Sequence, residues 1–545
     1  MTDFTQNLRD RLAAALAAAG AEPGPEEADF SIPPEASHGD LTTRAALPLA
    51  KELGLPPREL AEQIASALRE APGVAAAEVA GPGFVNLRLE EGVLWGAVAE
   101  AVRTGDDYGR SDVGEGVRVQ VEFVSANPTG PLNAVNARAA AYGDALARLL
   151  EFTGHATERE FYVCNVGTQM DLLAQSVRAR LREISGEEAE IPEGGYRGEY
   201  VVDLARRLHA AGRLTPESDD AHLAAEAAEA LVAEQESDLE DFGIIFDEWF
   251  PENSLYPDKV EAARERLTGG GATYEKDRAL WLRTTAAGDD EDRVLVRADG
   301  RPTYFLADVA YHLDKHDRGF DKVLDVLGPD HHGHAKKLYA MVKLLGLRDD
   351  WLEIVISQQV NLLEGGEKVK MSKRAGALVT MREVIENIGV DAARFFFLLR
   401  TPTAHLDFDL ELARKDTPEN PVYYAQYCHA RVESLKREAG EALASAPPAE
   451  ADLGELDLPE ERLLARTVWE FPSVVAGAAA RREPHRLTAY AARLASLFHN
   501  YYHHHRILQA SGEAKRRGRL LLARAVGQTM KNALGLLGVS APTHM

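Results

Sequence analysis

Cysteine is nearly absent from this chain of 545 residues, which has two, Cys164 and Cys428. Two cysteines so far apart exclude a disulfide framework or a thiolate zinc site and are typical of a reducing compartment. Long apolar runs are also missing, and none approaches the roughly 20 residues that span a bilayer. The first twenty residues carry acids within a helical pattern, which is not typical of a signal peptide. We therefore expect a cytoplasmic protein without membrane contact.

Positive charge is scarce too. Lys and Arg number 61 against 87 Asp and Glu, and the formal net charge of −26 argues against nucleic-acid binding over the whole surface. One segment reverses the balance, because seven cations and one acid, Glu513, lie between residues 500 and 531. This basic segment is either a solvated helix face or a polyanion-binding surface. Its candidate contact residues are Arg506, Arg516, Arg517 and Arg519.

The hydrophobic patterns divide the chain into three parts. Residues 1–112 mix helical patterns with the strand pattern VAGPGFVNLRL and predict a small α+β domain. Residues 113–388 alternate strands with helices, which predicts a parallel sheet with crossover helices. A helical, acidic and Ala-rich stretch at about 170–280 is predicted to be an insertion into that domain. Residues 389–545 predict an all-α domain.

Two stretches indicate phosphate chemistry. NPTGPLNAVN at 127–136 joins a strand pattern to a helical pattern, and a helix N-terminus after a turn suits an anion. EKVKMSKRAGALVTM at 367–381 packs four cations into seven residues, followed by a glycine. Flexible ammonium groups suit a polyphosphate whose charge is redistributed during a reaction. A basic loop is usually solvated surface, but the order KMSKR late in an α/β domain favours the polyphosphate.

The two stretches resemble the paired signatures of class I aminoacyl-tRNA synthetases, His-x-Gly-His and Lys-Met-Ser-Lys. The wider sequence resembles the arginyl-tRNA synthetase family in particular. Stretches that carry this likeness include VEFVSANPTGPL, FDEWFPENSLY, RPTYFLADVAYHLDK, GPDHHGH, GVDAARFFFLLR and NPVYYAQYCHAR. Because such stretches occur from HGDLTTRAALPLAKEL near the start to LGLLGVSAP near the end, the resemblance covers nearly the whole chain.

The resemblance implies a Rossmann-type catalytic domain at 113–388, preceded by an additional tRNA-contacting domain and followed by a helical anticodon-binding domain. It implies that ATP with Mg²⁺ activates L-arginine, which then passes to tRNA(Arg), and that the protein is usually a monomer without a bound metal. A carboxylate attacks the α-phosphorus in this reaction with little proton transfer. Positioning and electrostatics must therefore supply the rate.

The predicted arginine pocket rests on acids that match the planar donors of a guanidinium group. Glu122 and Asp308 are the candidate anions, and the resemblance adds Ser125, Asn127 and Tyr304. Each acid alone usually forms an ordinary ion pair. Together, at the carboxyl ends of predicted strands, they indicate a ligand site at a topological switch point.

The predicted ATP site combines the two signatures with the DHHGH stretch, which the resemblance assigns to the adenosine rather than to zinc. Lys370 and Lys373 are expected to stabilise the departing pyrophosphate. Asn133 and Asn136 are the other catalytic candidates. The predicted ATP-binding residues are Asn133, Val135, Asn136, Asp330, His331, Met371, Ser372 and Lys373.

The first signature departs from the family pattern, since Asn133, Val135 and Asn136 stand at its His, Gly and His positions. An asparagine amide can donate a hydrogen bond but cannot become cationic, and losing one preorganised donor typically costs on the order of 10²–10³ in rate. Val135 needs more room than glycine. FYVCNVGTQ also departs, with Cys164 and Asn165 in place of Asn-Asp.

Three functions are therefore compatible with the sequence. The first is a working arginyl-tRNA synthetase in which asparagines replace the histidines. The second is a weakened synthetase-like paralogue that keeps arginine or tRNA binding, and the third is a non-catalytic nucleic-acid-binding module. The retained KMSKR loop favours the first. Tyr423, Tyr427 and the basic segment are the candidate tRNA contacts.

Overall fold

The computed structural model describes residues 2–21, 24, 29–33, 36–369 and 379–545. Among these residues, the N-terminal part has four α-helices and one antiparallel three-stranded sheet of order β1-β3-β2. Proline at the first turn of the third helix is compatible with a helix start, and its apolar residues at helical spacing are all buried. The elements are α1 (Thr2–Ala18), β1 (Leu41–Thr43), α2 (Ala46–Leu53), α3 (Pro57–Arg69), β2 (Val74–Ala80), β3 (Phe84–Leu89) and α4 (Glu91–Thr104).

Strands and helices then alternate, as the sequence patterns predict. The strand that opens this part, Arg118–Phe123, is buried at five of its six positions, which is typical of a strand covered on both faces. The elements up to residue 296 are β4 (Arg118–Phe123), α5 (Ala134–Phe152), β5 (Ala156–Val163), α6 (Thr168–Ile184), α7 (Glu199–Ala210), α8 (Asp220–Asp241), β6 (Glu248–Pro251), α9 (Asp258–Gly269), β7 (Thr273–Lys276), β8 (Ala279–Leu282) and β9 (Arg293–Val296).

The rest of the α/β part includes the strands on either side of the second signature. Its elements are α10 (Tyr304–Asp317), β10 (Lys322–Leu327), α11 (His332–Leu344), β11 (Leu352–Ile356), β12 (Val360–Glu364), β13 (Glu367–Lys368), α12 (Met381–Ile388), α13 (Val390–Phe397), β14 (Leu406–Asp409) and α14 (Leu410–Ala413).

Five strands form one parallel sheet of order β11-β10-β4-β5-β6. The chain leaves β4 toward β5 on one side and later returns to β10 on the other. Strand order therefore reverses between β4 and β10, where open α/β sheets bind ligands. This is the Rossmann-type sheet that was expected.

In the described residues of the α/β part, two smaller sheets accompany the parallel one. β7, β8 and β9 form an antiparallel sheet, although the alternation of strands and helices predicted a parallel one. β14 pairs in parallel with β12, and β13 pairs with β12 on its other edge. Since β14 follows residue 388, the pairing of sheet strands continues past the predicted domain boundary, which stays a prediction.

The insertion consists of α6, α7 and α8, which enclose a hydrophobic core of their own. It is shorter than the predicted 170–280, because β6 at Glu248–Pro251 already belongs to the parallel sheet. The acidic, Ala-rich composition continues beyond the insertion. That composition alone could not mark where the chain rejoins the sheet.

The C-terminal part is helical, with α15 (Pro421–Ala439), α16 (Glu441–Ala444), α17 (Glu450–Leu453), α18 (Pro459–Arg481), α19 (His485–His504) and α20 (Glu513–Leu536). One hydrophobic core runs from the N-terminal part through α5 into these helices. Arg462 donates two hydrogen bonds to Asp40, at 2.9 and 2.7 Å, and so ties α18 to the N-terminal part. Within the described part of the chain, no helix has the length and apolar character needed to cross a membrane.

Arg394 on α13 connects three parts of the protein. Its guanidinium group is fully buried and pairs with Asp144 of α5. It also donates to the carbonyl of Phe242 at the end of the insertion, at 3.0 Å, and to the carbonyl of Leu537 after α20, at 3.1 Å. The helix that follows the first signature is thus held in place by both the insertion and the end of the chain.

Candidate active site

The predicted arginine-binding residues lie at the carboxyl edge of the parallel sheet. Glu122 is the fifth residue of β4, Ser125 and Asn127 follow that strand, and Tyr304 and Asp308 begin α10. The carboxyl ends of parallel strands meet at one edge of a sheet, so residues that are far apart in sequence converge there.

Glu122 is not a free anion in this structure. Its Oε2 accepts a hydrogen bond of 2.6 Å from Nζ of Lys315, and its Oε1 accepts one of 2.8 Å from the Ser125 hydroxyl. Lys315 is fully buried and also donates to Asp325 at 2.8 Å. Burial still raises the pKa of Glu122. Because each carboxylate oxygen has two lone pairs, Glu122 can accept a further donor, and its role in arginine binding stays a prediction.

Among the described residues, Asp308 has no lysine or arginine partner of this kind. Its carboxylate lies 3.3 Å from Nε2 of His334, but burial lowers the pKa of that histidine to about 3, so the imidazole is neutral. Burial also raises the pKa of Asp308 to about 6, although Lys337 partly opposes the change. A partly buried carboxylate with a raised pKa is suited to receive a cation from a ligand.

A second acid, Glu252, belongs to the same pocket and was missed in the sequence. It lies directly after β6 and is 2% exposed. Burial raises the pKa of Glu252, while the neighbouring Cys164, Tyr162 and Tyr256 groups partly offset this rise. Among the described residues, its Oε1 has no hydrogen-bond partner. The signal was available, since this acid ends a strand pattern within FDEWFPENSLY.

Tyr304, the first residue of α10, is half exposed, and its place in the arginine pocket stays a prediction. A Cβ atom at position 167 would lie 2.5 Å from the hydroxyl of Tyr304, which is too close. Glycine at this position, with a φ of +90°, therefore allows the tyrosine ring to approach the loop after β5. In the same altered motif, Asn165 accepts a hydrogen bond of 3.0 Å from the amide of Asn253 and joins the ends of β5 and β6. Burial raises the pKa of the Cys164 thiol, so this cysteine is not an activated nucleophile.

The two asparagines of the first signature form the N-terminal cap of α5. Oδ1 of Asn133 accepts hydrogen bonds from the amides of Val135 and Asn136, at 2.8 and 3.2 Å. The amide of Asn133 in turn donates to Oδ1 of Asn136 at 3.1 Å, which completes a capping box. Val135 is partly exposed in the first turn. The signature therefore starts the helix with asparagines in a conformation that suits them.

This cap fixes which atoms remain for a ligand. Each Oδ1 faces a backbone N–H, so each Nδ2 must point away from the helix. Among the described residues, neither Nδ2 has a hydrogen-bond partner. The amide of Ala134 is bonded to the carbonyl of Val379, at 3.3 Å. A phosphate at this end of α5 would therefore meet side-chain amides before backbone amides.

Several predicted ATP-binding groups cannot be located. Lys370, Met371, Ser372 and Lys373 lie outside the described residues. Asp330 is in a short 3-10 turn before α11, but its side chain is not among those described. His331 is exposed, and its ring centroid lies 5.9 Å from that of His334. No three His, Cys, Asp or Glu side chains surround a common metal position within the described residues.

Known proteins match this chain along almost all of its length. Three sequence families match: arginyl tRNA synthetase N terminal domain at 6–89, tRNA synthetases class I (R), catalytic domain, at 98–201, and DALR anticodon binding domain at 425–545. The arginine–tRNA ligase of Syntrophotalea carbinolica is 46% identical over 527 residues, which are 95% of each chain. The chain belongs to the arginyl-tRNA synthetase family.

Other arginyl-tRNA synthetases agree with this assignment. The arginine–tRNA ligase of Bacillus subtilis is 43% identical over 523 residues, 95% of this chain and 94% of its own. Arginyl-tRNA synthetase from Thermus thermophilus has the same fold, with a TM-score of 0.80 at 22% identity, over 99% of this chain and 100% of its own. The expected family and fold class are thus confirmed.

The predicted tRNA contacts occupy two environments in this arginyl-tRNA synthetase. Tyr423 and Tyr427 of α15 are partly exposed and stacked, with ring centroids 5.9 Å apart, and Arg431 lies 4.4 Å over Tyr427. In the basic segment, Arg506 is exposed, but Arg519 is buried against Glu461 at 2.7 Å.

The remaining cations of the basic segment have acidic partners or intermediate exposure. Arg517 pairs with Asp452 at 2.9 Å, and Arg516 is partly buried. An arginine already paired with an acid offers less attraction to a phosphate than a free one. The tRNA contact of this segment stays a prediction.

Proposed function

We propose that this chain is an arginine–tRNA ligase that activates L-arginine with ATP and transfers it to tRNA(Arg). The observation that carries the proposal is the acidic pocket at the carboxyl edge of the sheet. Glu252 is buried and Asp308 is partly buried, burial raises the pKa of both acids, and Tyr304 lies four positions before Asp308 on α10. A guanidinium group supplies the rigid, permanently charged donors that two such acids require.

Each predicted residue has a place in the reaction. Arginine would enter with its guanidinium group between Asp308 and Glu252 and its carboxylate toward the first signature. The Nδ2 groups of Asn133 and Asn136 would donate to the ATP phosphates. Lys370 and Lys373 would stabilise the pyrophosphate as it leaves, and Mg²⁺ would enter bound to the ATP phosphates.

The position of the asparagines favours a working ligase over a weakened paralogue. Asparagine is among the best N-cap residues, and histidine is not, so the exchange leaves α5 well formed. The donors that remain point away from the helix, where the resemblance expects phosphate. We propose that the protein acts as a monomer in the cytoplasm.

Charging of tRNA(Arg) with radiolabelled arginine tests this function directly. The unmodified protein is expected to charge tRNA(Arg) in the presence of ATP and Mg²⁺. A matched variant, Asn133→His with Val135→Gly and Asn136→His, restores the family signature and is expected to lose about 1 kcal/mol of stability with its cap. If only this variant charged tRNA(Arg), the asparagines would mark a protein that has lost ATP chemistry.

The stacked tyrosines of α15 provide a test of tRNA binding. Tyr423→Ala and Tyr427→Ala are each expected to weaken tRNA(Arg) binding about ten-fold or more, since a stacked base contributes roughly 1–3 kcal/mol. Filter binding at fixed salt measures the Kd. Tyr274→Ala is the control, because Tyr274 also belongs to a stacked pair, with Trp281, on the small antiparallel sheet. Equal losses in all three variants would contradict a contact at α15.

A further inference from the structure

The loop after β4 has a strained backbone. Val124 has a φ of +70° and Ser125 a φ of +38°, a left-handed region that β-branched residues in particular avoid. Such a conformation costs on the order of 1–3 kcal/mol per residue and persists where neighbouring structure imposes it. The strained residues include Ser125 and lie two and three positions before Asn127, and both Ser125 and Asn127 are predicted arginine contacts.

All three helices of the insertion place a side chain on residues 127–130 of this loop. From α6, Oε1 of Gln169 accepts a hydrogen bond of 2.7 Å from Nδ2 of Asn127. From α7, the hydroxyl of Tyr200 donates to the carbonyl of Thr129 at 2.6 Å. From α8, Nε2 of Gln235 donates to two carbonyls, those of Asn127 at 3.2 Å and Gly130 at 2.9 Å.

Gln235 is the most constrained of the three. Its side chain is 1% exposed, and among the described residues its Oε1 has no hydrogen-bond partner. A buried acceptor left without a partner lowers stability. The two hydrogen bonds to the loop are therefore the evident reason for a glutamine in the interior of α8.

Tyr200 and Gly130 are fitted to each other. The phenol ring of Tyr200 lies 3.2 Å from the position that a Cβ atom on residue 130 would occupy. Glycine thus permits the helix to approach the loop closely. The three helices of the insertion also share a hydrophobic core of their own, against which the ring of Tyr200 packs.

We propose that the insertion acts as a positioning element for arginine, with Gln235 and Tyr200 holding the 124–130 loop in its strained, binding-competent conformation. This loop conformation fixes the position of the Ser125 side chain. Its hydroxyl donates a hydrogen bond to Glu122, at 2.8 Å, and accepts one from the amide of Tyr162, at 3.1 Å. The inference rests on the proposed arginine-binding role of Ser125 and Asn127. It assigns to α7 and α8 a part in substrate binding although neither touches the pocket acids.

The test uses Gln235→Met and Tyr200→Phe in the full chain. Methionine keeps the length of glutamine but cannot donate, and phenylalanine removes only the hydroxyl. Arg207→Ala is the matched control, since it breaks the exposed α7–α8 ion pair with Glu234 and leaves the loop untouched. Hydrogen exchange followed by mass spectrometry reports the order of residues 124–133, and charging kinetics report the KM for arginine and for ATP.

We expect faster exchange of the 124–133 amides in Gln235→Met and Tyr200→Phe, and slow exchange in Arg207→Ala. The KM for arginine should rise about ten-fold in Gln235→Met, which loses two hydrogen bonds of ordinary net strength, while the KM for ATP stays the same. Tyr200→Phe should show a smaller rise.

Unchanged exchange in Gln235→Met would overturn the inference. Faster exchange with an unchanged KM for arginine would also overturn it, because the contacts would then be structural only. Equal rises in both KM values would indicate a general defect and contradict the assignment to arginine. If the unmodified protein charged no tRNA(Arg), the proposed function would fail and the arginine role of the loop with it, whereas the exchange data would still report what orders the loop.

Discussion

Asn133→Asp is expected to slow arginyl-adenylate formation about 10²–10³-fold, the usual cost of losing one preorganised donor. Aspartate matches asparagine in size and caps a helix equally well, so Oδ1 can still accept from the amides of Val135 and Asn136. The change replaces the Nδ2 donor with a carboxylate oxygen that repels phosphate. The melting temperature should remain that of the unmodified protein.

ATP–pyrophosphate exchange in the presence of tRNA(Arg) measures this rate. The melting temperature reports the stability that the helix cap contributes. Asn133→Ala separates the two roles, because it removes both the donor and the cap and should lose about 1 kcal/mol of stability as well. Asp219→Asn is the control, since Asp219 caps α8 through a 2.8 Å hydrogen bond from His222, away from the signature. An Asn133→Asp variant as fast as the unmodified protein would exclude Nδ2 from phosphate binding.

Asp308→Asn is expected to raise the KM for arginine by about 10²-fold or more, because removing one partner of a buried ion pair typically costs 3–5 kcal/mol. The KM for ATP should not change, since Asp308 faces the guanidinium end of the predicted pocket. Steady-state charging with each substrate varied in turn measures both constants. A proportional rise in both would contradict this placement.

The same variant should be more stable than the unmodified protein at neutral pH, by about 1–3 kcal/mol. Burial raises the pKa of Asp308 to about 6, so the folded protein holds this proton more tightly than the unfolded chain. Ionisation of Asp308 therefore favours unfolding above pH 6, and asparagine removes that cost. The stability difference should shrink as the pH falls from 6 toward 4, where Asp308 is protonated in the folded state.

In the unmodified protein, kcat/KM for arginine should fall as the pH drops below about 6, because a protonated Asp308 cannot pair with the guanidinium group. Asp314→Asn on the same helix is the matched control. Asp314 pairs with Lys259 at 2.5 Å and Arg318 at 3.0 Å, so its loss should lower stability and leave the KM for arginine unchanged. Opposite signs in the two stability changes would separate a functional acid from a structural one.

Local patterns were sufficient to predict most of the fold. The strand pattern before NPTGPLNAVN predicted β4, and the helical pattern after it, at residue 137 and beyond, predicted α5, whose observed start is Ala134. The helix begins earlier because Asn133 and Asn136 form a capping box, a signal read in the sequence as a departure from a catalytic signature. The same two residues serve a local structural rule and a predicted chemical role.

The charge partners of the site could not be predicted from spacing. Glu122 is paired with Lys315, which is 193 positions away and comes to it because α10 packs beside β4. Asp308, in contrast, has a neutral histidine beside it. Glu122 and Asp308 were both predicted from the sequence to bind a guanidinium group. Their electrostatic states differ because tertiary packing gives each a different neighbour.

The contacts of Arg394 bear on the order in which the protein is made. Asp144 and Arg394 are 250 positions apart, and Arg394 and Leu537 are separated by another 143. During synthesis on the ribosome, α5 is made well before Leu537, and Arg394 can bind the Leu537 carbonyl only after residue 537 has been added. The helix that carries the first signature therefore lacks part of its surroundings until residue 537 has been added, so a shorter nascent chain holds an unfinished catalytic domain.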